Sequence, residues 1–190
     1  MEKWIDDILK DKEALMKSLR DSGYFSVLEE AGKELSASLK QGNKIVLAGN
    51  GGSAADAQHF AGEIVGRFLK ERKSLPAISL CVDPSVVTCI ANDYGYEEVF
   101  SRQISGVGRK GDIFIAISTS GNSENCINAI KTAHEKGMKV IGFLGKDGGK
   151  MKGFCDYSLI VPSEKTPRIQ EIHTLTVHLL CELIERELFQ

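Results

Sequence analysis

The sequence lacks the features that mark several common classes of protein. Its five cysteines include no C-x-x-C pair, the spacing of many zinc and redox sites, so we expect reduced and buried thiols. No apolar run reaches about 18 residues, the length that predicts a membrane-spanning helix. The N-terminus is charged and amphipathic, without the apolar core of a signal peptide. These absences predict a cytoplasmic protein with no membrane partner.

An excess of charge of one sign is also missing. The chain has 24 Lys and Arg against 26 Asp and Glu, a net charge of −2, and the two signs are interspersed. A nucleic-acid-binding surface needs clustered basic residues, so we predict no nucleic-acid partner. No Pro-, Ser- or charge-rich linker divides the 190 residues, which indicates one domain over residues 1–190.

Short apolar runs alternate with amphipathic helical patterns along the chain. Such alternation is typical of a parallel sheet covered on both faces, so it predicts an α/β three-layer sandwich. We expect a five-stranded parallel sheet of flavodoxin-like, nucleotide-binding topology, with the helical segment 1–41 packed on it and used in oligomerisation. The predicted strands are 43–49, 75–83, 111–118, 138–145 and 157–162, and the predicted helices are 2–21, 25–41, 119–137 and 167–189.

The first candidate site is the segment GNGGSA, residues 49–54, at the predicted carboxyl end of a strand. Ligands of open parallel sheets bind at such ends. Gly51 and Gly52 permit close approach of backbone N–H groups, and Ser53 stands where the following helix favours an anion. The segment also matches the dinucleotide pattern G-x-G-x-x-A, but the nearest strand-end acid, Asp83, follows after about 30 positions instead of about 20. A dinucleotide enzyme is the alternative at this loop.

The second candidate site is STSGNS, residues 118–123, where another strand meets a helix. Ser118, Thr119, Ser120 and Ser123 supply four hydroxyls beside the free amides of a helix start, which predicts a neutral cradle for a phosphate. Neither loop carries the G-K-[ST] of a Walker motif, so a nucleoside triphosphatase is not indicated. The alternative is that these hydroxyls only cap the helix.

Two polar stripes on apolar helices complete the candidate site. His59 and Glu63 are four residues apart, and Gln170, Thr174 and His178 repeat that spacing near the C-terminus, so each set shares a helix face. If the stripes face each other, two imidazoles, a carboxylate and an amide oxygen can bind Zn²⁺. Alternatively Glu63 and His178 act as base and acid without a metal. A His–Glu pair on a helix can also be an ordinary surface or core contact.

The motifs, taken together and in order, resemble a known family. The segments 48–68, 75–104, 116–145 and 169–185 are similar to those of the phosphoheptose isomerases, also called sedoheptulose-7-phosphate isomerases, in the sugar-isomerase (SIS) domain superfamily. The resemblance covers almost the whole chain. It implies interconversion of sedoheptulose 7-phosphate and D-glycero-D-manno-heptose 7-phosphate, the first step of ADP- or GDP-heptose biosynthesis for lipopolysaccharide.

The resemblance also implies partners and roles for individual residues. It implies a homotetramer whose active sites are completed by neighbouring subunits, with Glu63 as the catalytic base and His178 as the acid. One Zn²⁺ per subunit is expected on His59, Glu63, Gln170 and His178. The implied contacts to the sugar phosphate are Asn50, Gly51, Gly52, Ser53, Glu63, Asn92, Asp93, Ser118, Thr119, Ser120, Ser123 and Gln170.

Aldose–ketose isomerisation agrees with this arrangement of residues. A base moves a proton between C1 and C2 through an enediol or enediolate, and an acid manages the protons on the adjacent oxygens. A glutamate bound to zinc is a weaker base, so the sequence leaves open whether Glu63 has both roles. The alternative function is a non-enzymatic regulator resembling the DnaA initiator-associating protein. That branch is expected to lack residues matching Glu63 and His178, both of which this chain has.

Overall fold

The computed structural model describes residues 2–189, and its centre is a parallel β-sheet. The strand order is β2-β1-β3-β4-β5, the flavodoxin-like order, and every neighbouring pair is parallel. The predicted α/β fold with a five-stranded parallel sheet is therefore confirmed. The strands are β1 (Ile45–Gly49), β2 (Ala77–Ser79), β3 (Ile113–Ser118), β4 (Lys139–Gly145) and β5 (Tyr157–Val161).

Helices cover both faces of this sheet. The α-helices are α1 (Lys3–Asp21), α2 (Tyr24–Lys40), α3 (Gly52–Val65), α4 (Pro84–Tyr94), α5 (Ser101–Val107), α6 (Glu124–Glu135) and α7 (Thr166–Leu188), with short 3₁₀ turns at Tyr96–Glu98 and Lys150–Phe154. Within residues 2–189, none of these helices combines the length and the apolar composition that crossing a membrane requires.

The alternation of side chains along β3 explains the three layers. Ile113, Ile115 and Ile117 belong to the core on one face of the sheet, where α2, α3 and α7 pack. Phe114 and Ala116 belong to the core on the other face, with α5 and α6. Because successive side chains of a strand point to opposite faces, an apolar run without alternation requires cover on both sides.

The second strand is much shorter than its predicted range of 75–83. β2 is an edge strand that pairs with β1 over three residues, and its Ile78 is exposed. The chain then turns into α4, which the sequence pattern did not predict, and α5 was missed as well. The signal for α4 was Asp83, whose carboxylate accepts hydrogen bonds from the amides of Ser85 and Val86 while Pro84 occupies the first turn.

The N-terminal helical segment packs against the last helix. Tyr24 at the start of α2 and Thr176 of α7 are joined by a buried hydroxyl–hydroxyl hydrogen bond of 2.6 Å. Apolar side chains of α2, such as Leu28 and Leu35, are buried in the same core as Leu180 of α7. The predicted packing of this segment therefore has a structural basis, whereas its role in oligomerisation stays a prediction.

The five cysteines are free thiols, as expected from their spacing. Cys126 and Cys181 are buried, and Cys81 and Cys155 are partly buried. The expectation of buried thiols is wrong for Cys89, which lies on the exposed face of α4. Burial raises the pKa of the Cys126 and Cys155 thiols to about 12, so these two stay protonated at neutral pH.

Candidate active site

The two predicted loops lie next to each other at the carboxyl edge of the sheet. β1 and β3 are neighbours in register, with Gly49 opposite Ile117. The residues that follow, Asn50 and Ser118, therefore start the two loops side by side. This is the edge at which parallel sheets bind ligands.

The glycine turn after β1 is shaped by its lack of side chains. Gly51 has a φ of 56°, in the left-handed region that favours glycine, and α3 begins at the next residue. Gly52 lies directly against the side chain of Gln170 on α7, and a Cβ at this position would overlap the Gln170 amide nitrogen. Ser53 is buried in the first turn of the helix. The turn thus brings the start of α3 and the start of α7 together.

The hydroxyls of the second loop, residues 118–123, converge. The Oγ atoms of Ser118 and Ser123 are 2.9 Å apart, and those of Ser118 and Ser120 are 3.4 Å apart. Ser123 occupies the N-cap position of α6, yet its side chain makes no capping hydrogen bond. The alternative in which these residues only cap the helix is therefore not supported at Ser123. Thr119 is half-buried at the same loop.

The polar stripes of α3 and α7 meet in a groove between the two helices, which we call the α3–α7 groove. His59 Nε2 and Glu63 Oε1 are 3.2 Å apart. The rings of His59 and His178 lie edge to face, with centroids 5.1 Å apart and planes at 81°. The structure therefore brings together a carboxylate and two imidazoles that are more than 110 residues apart in sequence. Gln170 lies two turns before His178, beside the glycine turn.

The donor set of the groove suits zinc chemically. Two imidazoles, a carboxylate and an amide oxygen are ligands that Zn²⁺ accepts. Within residues 2–189, however, no three His, Cys, Asp or Glu side chains are arranged as a closed metal site. His59 Nε2 and Glu63 Oε1 contact each other, the contact that a metal would have to replace. The four residues suit the ion by chemical type, and two of them, His59 and Glu63, form a hydrogen-bonded pair.

Thr174, predicted as part of the α7 stripe, contacts an aspartate that sequence analysis missed. Its Oγ1 donates a 2.9 Å hydrogen bond to Oδ1 of Asp56 on α3. Asp56 is buried, and Oδ2 has no hydrogen-bond partner. Burial raises the pKa of Asp56, and the Thr174 hydrogen bond and nearby His59 partly offset that rise. The missed signal was spacing, since Asp56 precedes His59 by three residues on one helix face.

A buried ion pair, which we call the Arg72–Glu185 clamp, supports the end of α3. The side chains of Arg72 and Glu185 are 1% and 2% exposed, and Arg72 Nε donates to Glu185 Oε1 over 2.9 Å. Arg72 Nη2 also donates to the backbone carbonyl of Glu63 over 2.7 Å, and Nη1 donates to that of Ile64 over 3.0 Å. The clamp thus satisfies carbonyls that the helix end leaves free.

The same clamp reaches the other imidazole of the groove. Glu185 accepts hydrogen bonds of 2.8–2.9 Å from the backbone amides of residues 68–70. Phe68, at the start of this segment, stacks on His178 with ring centroids 5.5 Å apart and planes at 21°. Neither the clamp nor the role of Phe68 was predicted from the sequence. The reason is that charged pairs distant in sequence carry no local signal.

Two predicted substrate contacts lie apart from the α3–α7 groove. Asn92 and Asp93 are exposed on the last turn of α4, where the Asn92 amide donates to Asp93 Oδ1 over 2.8 Å. The Cys89 thiol is 3.7 Å from the other Asp93 oxygen. Tyr96, just beyond this turn, reaches Asn50, with its hydroxyl 2.8 Å from Asn50 Oδ1. The turn therefore borders the first loop without contacting the imidazoles.

The groove is open to solvent in the single chain. The side chains of His59 and Glu63 are 37% and 26% exposed, and the apolar residues Val65 and Leu69 beside them are 44% and 65% exposed. A depression of about 330 Å³ lies elsewhere, between α1 and the start of α7 near Lys165. It contains none of the predicted site residues, so the chemistry points to the groove and not to that depression.

Comparisons with known proteins show which proteins this chain is similar to. A family model described as the SIS domain matches residues 8–145. The chain is 57% identical to the phosphoheptose isomerase of Aliarcobacter butzleri over 161 residues, 85% of each protein. It is 50% identical to the phosphoheptose isomerase of Clostridium acetobutylicum over 190 residues, 100% of this chain and 97% of that protein.

A solved structure extends the similarity to three dimensions. The phosphoheptose isomerase of Neisseria gonorrhoeae matches this chain with a TM-score of 0.90 at 40% identity. The match covers 97% of this chain and 98% of that one, and thus includes the sheet and both helices of the groove.

Proposed function

This chain belongs to the phosphoheptose isomerase family of SIS-domain proteins, and we propose that the α3–α7 groove is its active site. It is an aldose–ketose isomerase that interconverts sedoheptulose 7-phosphate and D-glycero-D-manno-heptose 7-phosphate. The observation that carries the site assignment is that His59 contacts both Glu63 and His178, on helices that begin beside the two phosphate-type loops. The non-enzymatic regulator and the dinucleotide enzyme are not supported, because the relatives are named isomerases.

The serine loop holds the phosphate end of the substrate. Hydroxyls of Ser118, Ser120 and Ser123 converge there, and the amides at the start of α6 are available to an anion. Thr119 completes the loop, while the glycine turn of α3 contacts the sugar and Asn50 contacts the sugar phosphate. Binding of the phosphate at a distance from the reacting carbons orients C1 and C2 for proton transfer.

Two residues of the α3–α7 groove, Glu63 and His178, transfer the protons. Glu63 removes a proton from C1 of the ketose and returns it to C2, while His178 donates a proton to the C2 oxygen and takes one from the C1 hydroxyl, so that both residues end in their starting states. Oε1 of Glu63 contacts His59, and Oε2 is the other oxygen able to receive the proton. Gln170 lies against the glycine turn, in position to contact the substrate between its two ends. Asn92 and Asp93 orient sugar hydroxyls.

His59, Glu63, Gln170 and His178 would hold one Zn²⁺. When bound, the ion supplies a Lewis acid beside the oxygens of C1 and C2. The chemical types of the four side chains and the edge-to-face contact of the two imidazoles support this proposal. Asp56 lies one turn from His59, and its free Oδ2 can accept a hydrogen bond that orients a metal ligand from the side away from the ion.

Chelation tests the zinc proposal directly. Purified protein is expected to contain about one Zn per chain, and treatment with a chelator is expected to remove both the metal and most of the turnover. Added Zn²⁺ should restore both, and His59→Gln should lower the metal content without a chelator. His134→Gln is the matched control, since His134 is exposed and bonds only the loop carbonyl of Phe154. Full turnover by metal-free protein would favour the acid–base version without zinc.

The proposed assembly is a homotetramer, and its proposed location is the cytoplasm. Water weakens the electrostatic interactions of an open active site, so a neighbouring subunit that covers the groove would strengthen them. The exposed apolar side chains of Val65 and Leu69 support such a contact. The exposed position of Asp93 is also consistent with a role in a neighbour's site.

The proposed function is tested by turnover of the sugar phosphate. Purified protein with sedoheptulose 7-phosphate is expected to produce the aldose until equilibrium is reached, with exchange of one solvent deuterium into C2 observed by NMR. Dephosphorylated sedoheptulose should react far more slowly, because it lacks the group that the serine loop grips. Absence of aldose and of deuterium exchange at enzyme concentrations near those of the substrate would reject the assignment.

A further inference from the structure

We propose that Asn125, together with Tyr96, is a positioning residue that locks the Asn50 amide, so that Asn50 offers the sugar phosphate an N–H donor and never its carbonyl oxygen. The inference rests on the proposed function in one respect, because it takes Asn50 as a substrate contact. Asn125 lies in the first turn of α6, directly after the serine loop.

The two amides form a reciprocal pair. Asn50 Nδ2 donates to Asn125 Oδ1 over 3.0 Å, and Asn125 Nδ2 donates to Asn50 Oδ1 over 2.9 Å. The pair joins the loop after β1 to the helix after β3, and Asn125 is 4% exposed. Two parallel hydrogen bonds hold both amide planes in one orientation.

The backbone decides which way this pair faces. Asn125 Oδ1 also accepts a 2.9 Å hydrogen bond from the amide of Cys126. A reversed Asn125 amide would place its NH₂ group against that N–H and leave a buried donor without a partner, which folded proteins avoid. With Asn125 fixed, Asn50 must keep its oxygen toward Asn125 Nδ2. The backbone of α6 therefore fixes the orientation of the Asn50 amide through Asn125.

Counting the hydrogen bonds of the Asn50 side chain shows which of its donors and acceptors are left for a ligand. A carbonyl oxygen has two lone pairs, and Asn50 Oδ1 accepts from both Asn125 and the Tyr96 hydroxyl, the latter at 2.8 Å. Of the two hydrogens on Nδ2, one is used by Asn125. What remains for a ligand is a single N–H, which selects an acceptor oxygen of the sugar phosphate.

Asn125→Asp is the informative variant. The introduced carboxylate keeps an acceptor for the Cys126 amide, but its second oxygen repels Asn50 Oδ1 and displaces the Asn50 amide. The dissociation constant of sedoheptulose 7-phosphate, by calorimetry, and the KM should rise about 3–100-fold, the range for losing a hydrogen bond to a neutral or to a charged acceptor. The kcat should change less than about threefold, because Asn125 is remote from the proton transfer. A merely structural role would lower kcat or the folded fraction and leave the affinity unchanged.

Two further variants separate orientation from charge. Asn128→Asp places the same charge one turn later on α6, where Asn128 bonds Glu97 and Glu98 instead, and should change affinity less than about twofold. Tyr96→Phe adds no charge at an exposed position and should weaken binding about two- to fivefold. Equal losses in the two aspartate variants, or unchanged affinity in Tyr96→Phe, would overturn the proposal even if Asn125→Asp failed to fold.

Inorganic phosphate as a competitor identifies the acceptor atom. An inhibition constant that rises in parallel with KM assigns the Asn50 donor to a phosphate oxygen, and an unchanged one assigns it to a sugar oxygen. Both results support the proposal that Asn125 and Tyr96 fix the orientation of the Asn50 amide. Wild-type protein that binds the sugar phosphate without turnover would reject the proposed function, while the variant affinities would still decide the inference. Wild-type protein that does not bind the sugar phosphate would overturn both.

Discussion

Glu63→Gln is expected to lower kcat for sedoheptulose 7-phosphate by about 10²–10⁴-fold, the usual contribution of a general base. The amide keeps an oxygen for the contact with His59 but cannot take a proton from C1. His178→Gln is expected to produce a loss of similar size, because the acid beside the C2 oxygen is removed. Both variants should remain folded, since these side chains are only partly buried and lie at the groove surface. Aldose formation and solvent deuterium exchange at C2 measure the effect.

Matched substitutions on the surface serve as controls for this pair. Glu71→Gln makes the same chemical change at a carboxylate that is 89% exposed and contacts Arg67. His134→Gln does so at an exposed histidine on α6. Both should leave kcat within about twofold, because exposed contacts of this kind contribute little. Near-wild-type turnover in Glu63→Gln and His178→Gln would exclude these residues from proton transfer.

Glu185→Ala is expected to lower the free energy of unfolding by about 3–5 kcal/mol, the usual cost of removing one partner of a buried ion pair. The substitution leaves the Arg72 guanidinium buried without its carboxylate, and the amides of residues 68–70 lose their acceptor. Chemical denaturation followed by circular dichroism measures the change. Because the clamp supports the end of α3 and the segment whose Phe68 stacks on His178, the folded fraction that remains should also have a lower kcat.

A neighbouring glutamate provides the control for the clamp. Glu182→Ala removes an exposed partner of Arg186 on the same helix and should change stability by less than about 1 kcal/mol. A Glu185→Ala protein as stable as the Glu182→Ala protein would show that the clamp contributes no net stability.

The clamp also predicts a pH dependence. Burial of Glu185 raises the pKa of its carboxyl, but hydrogen bonds from the amides of Phe68, Lys70 and Leu69 and from Arg72 outweigh burial and lower it. A carboxyl whose pKa is lower in the folded state stabilises the protein above its unfolded pKa and loses that contribution as the pH falls. The stability difference between wild type and Glu185→Ala should therefore shrink below about pH 4, near the unfolded pKa of glutamate.

The buried strands were predictable because they are apolar on both faces. β1, β3, β4 and β5 lie within two residues of their predicted ranges, since each is a short and mostly apolar run, with Ser158 as the polar residue inside β5. β2 was overestimated because apolar residues 80–82 continue its pattern after the pairing with β1 ends. α4 carries Val87, Ile90 and Ala91 at helical spacing, but only Ile90 is fully buried and the helix directly follows the apolar run of β2, so its short pattern was overlooked.

The candidate site was predictable where it is local and hidden where it depends on docking. The i, i+4 spacing of His59 and Glu63 and the hydroxyl-rich loop after β3 are visible in sequence. The contacts Asp56–Thr174 and Asn50–Asn125 join residues 118 and 75 positions apart, so they exist only after α7 and α6 have packed. Charge and size at such positions carry no periodic signal, and the sequence alone does not pair them.

The position of α7 in the chain has a consequence for the order of assembly. This helix follows all five strands, yet it provides Gln170, His178 and the carboxylate of the clamp. Contacts of such long sequence separation form late, after the loops between them have closed. During synthesis all five strands are therefore made before the helix that helps to cover one face of their sheet, and the candidate site is assembled only when this last helix docks. A chain stalled before α7 would lack Gln170 and His178 and would also leave apolar side chains on one face of the sheet without their cover.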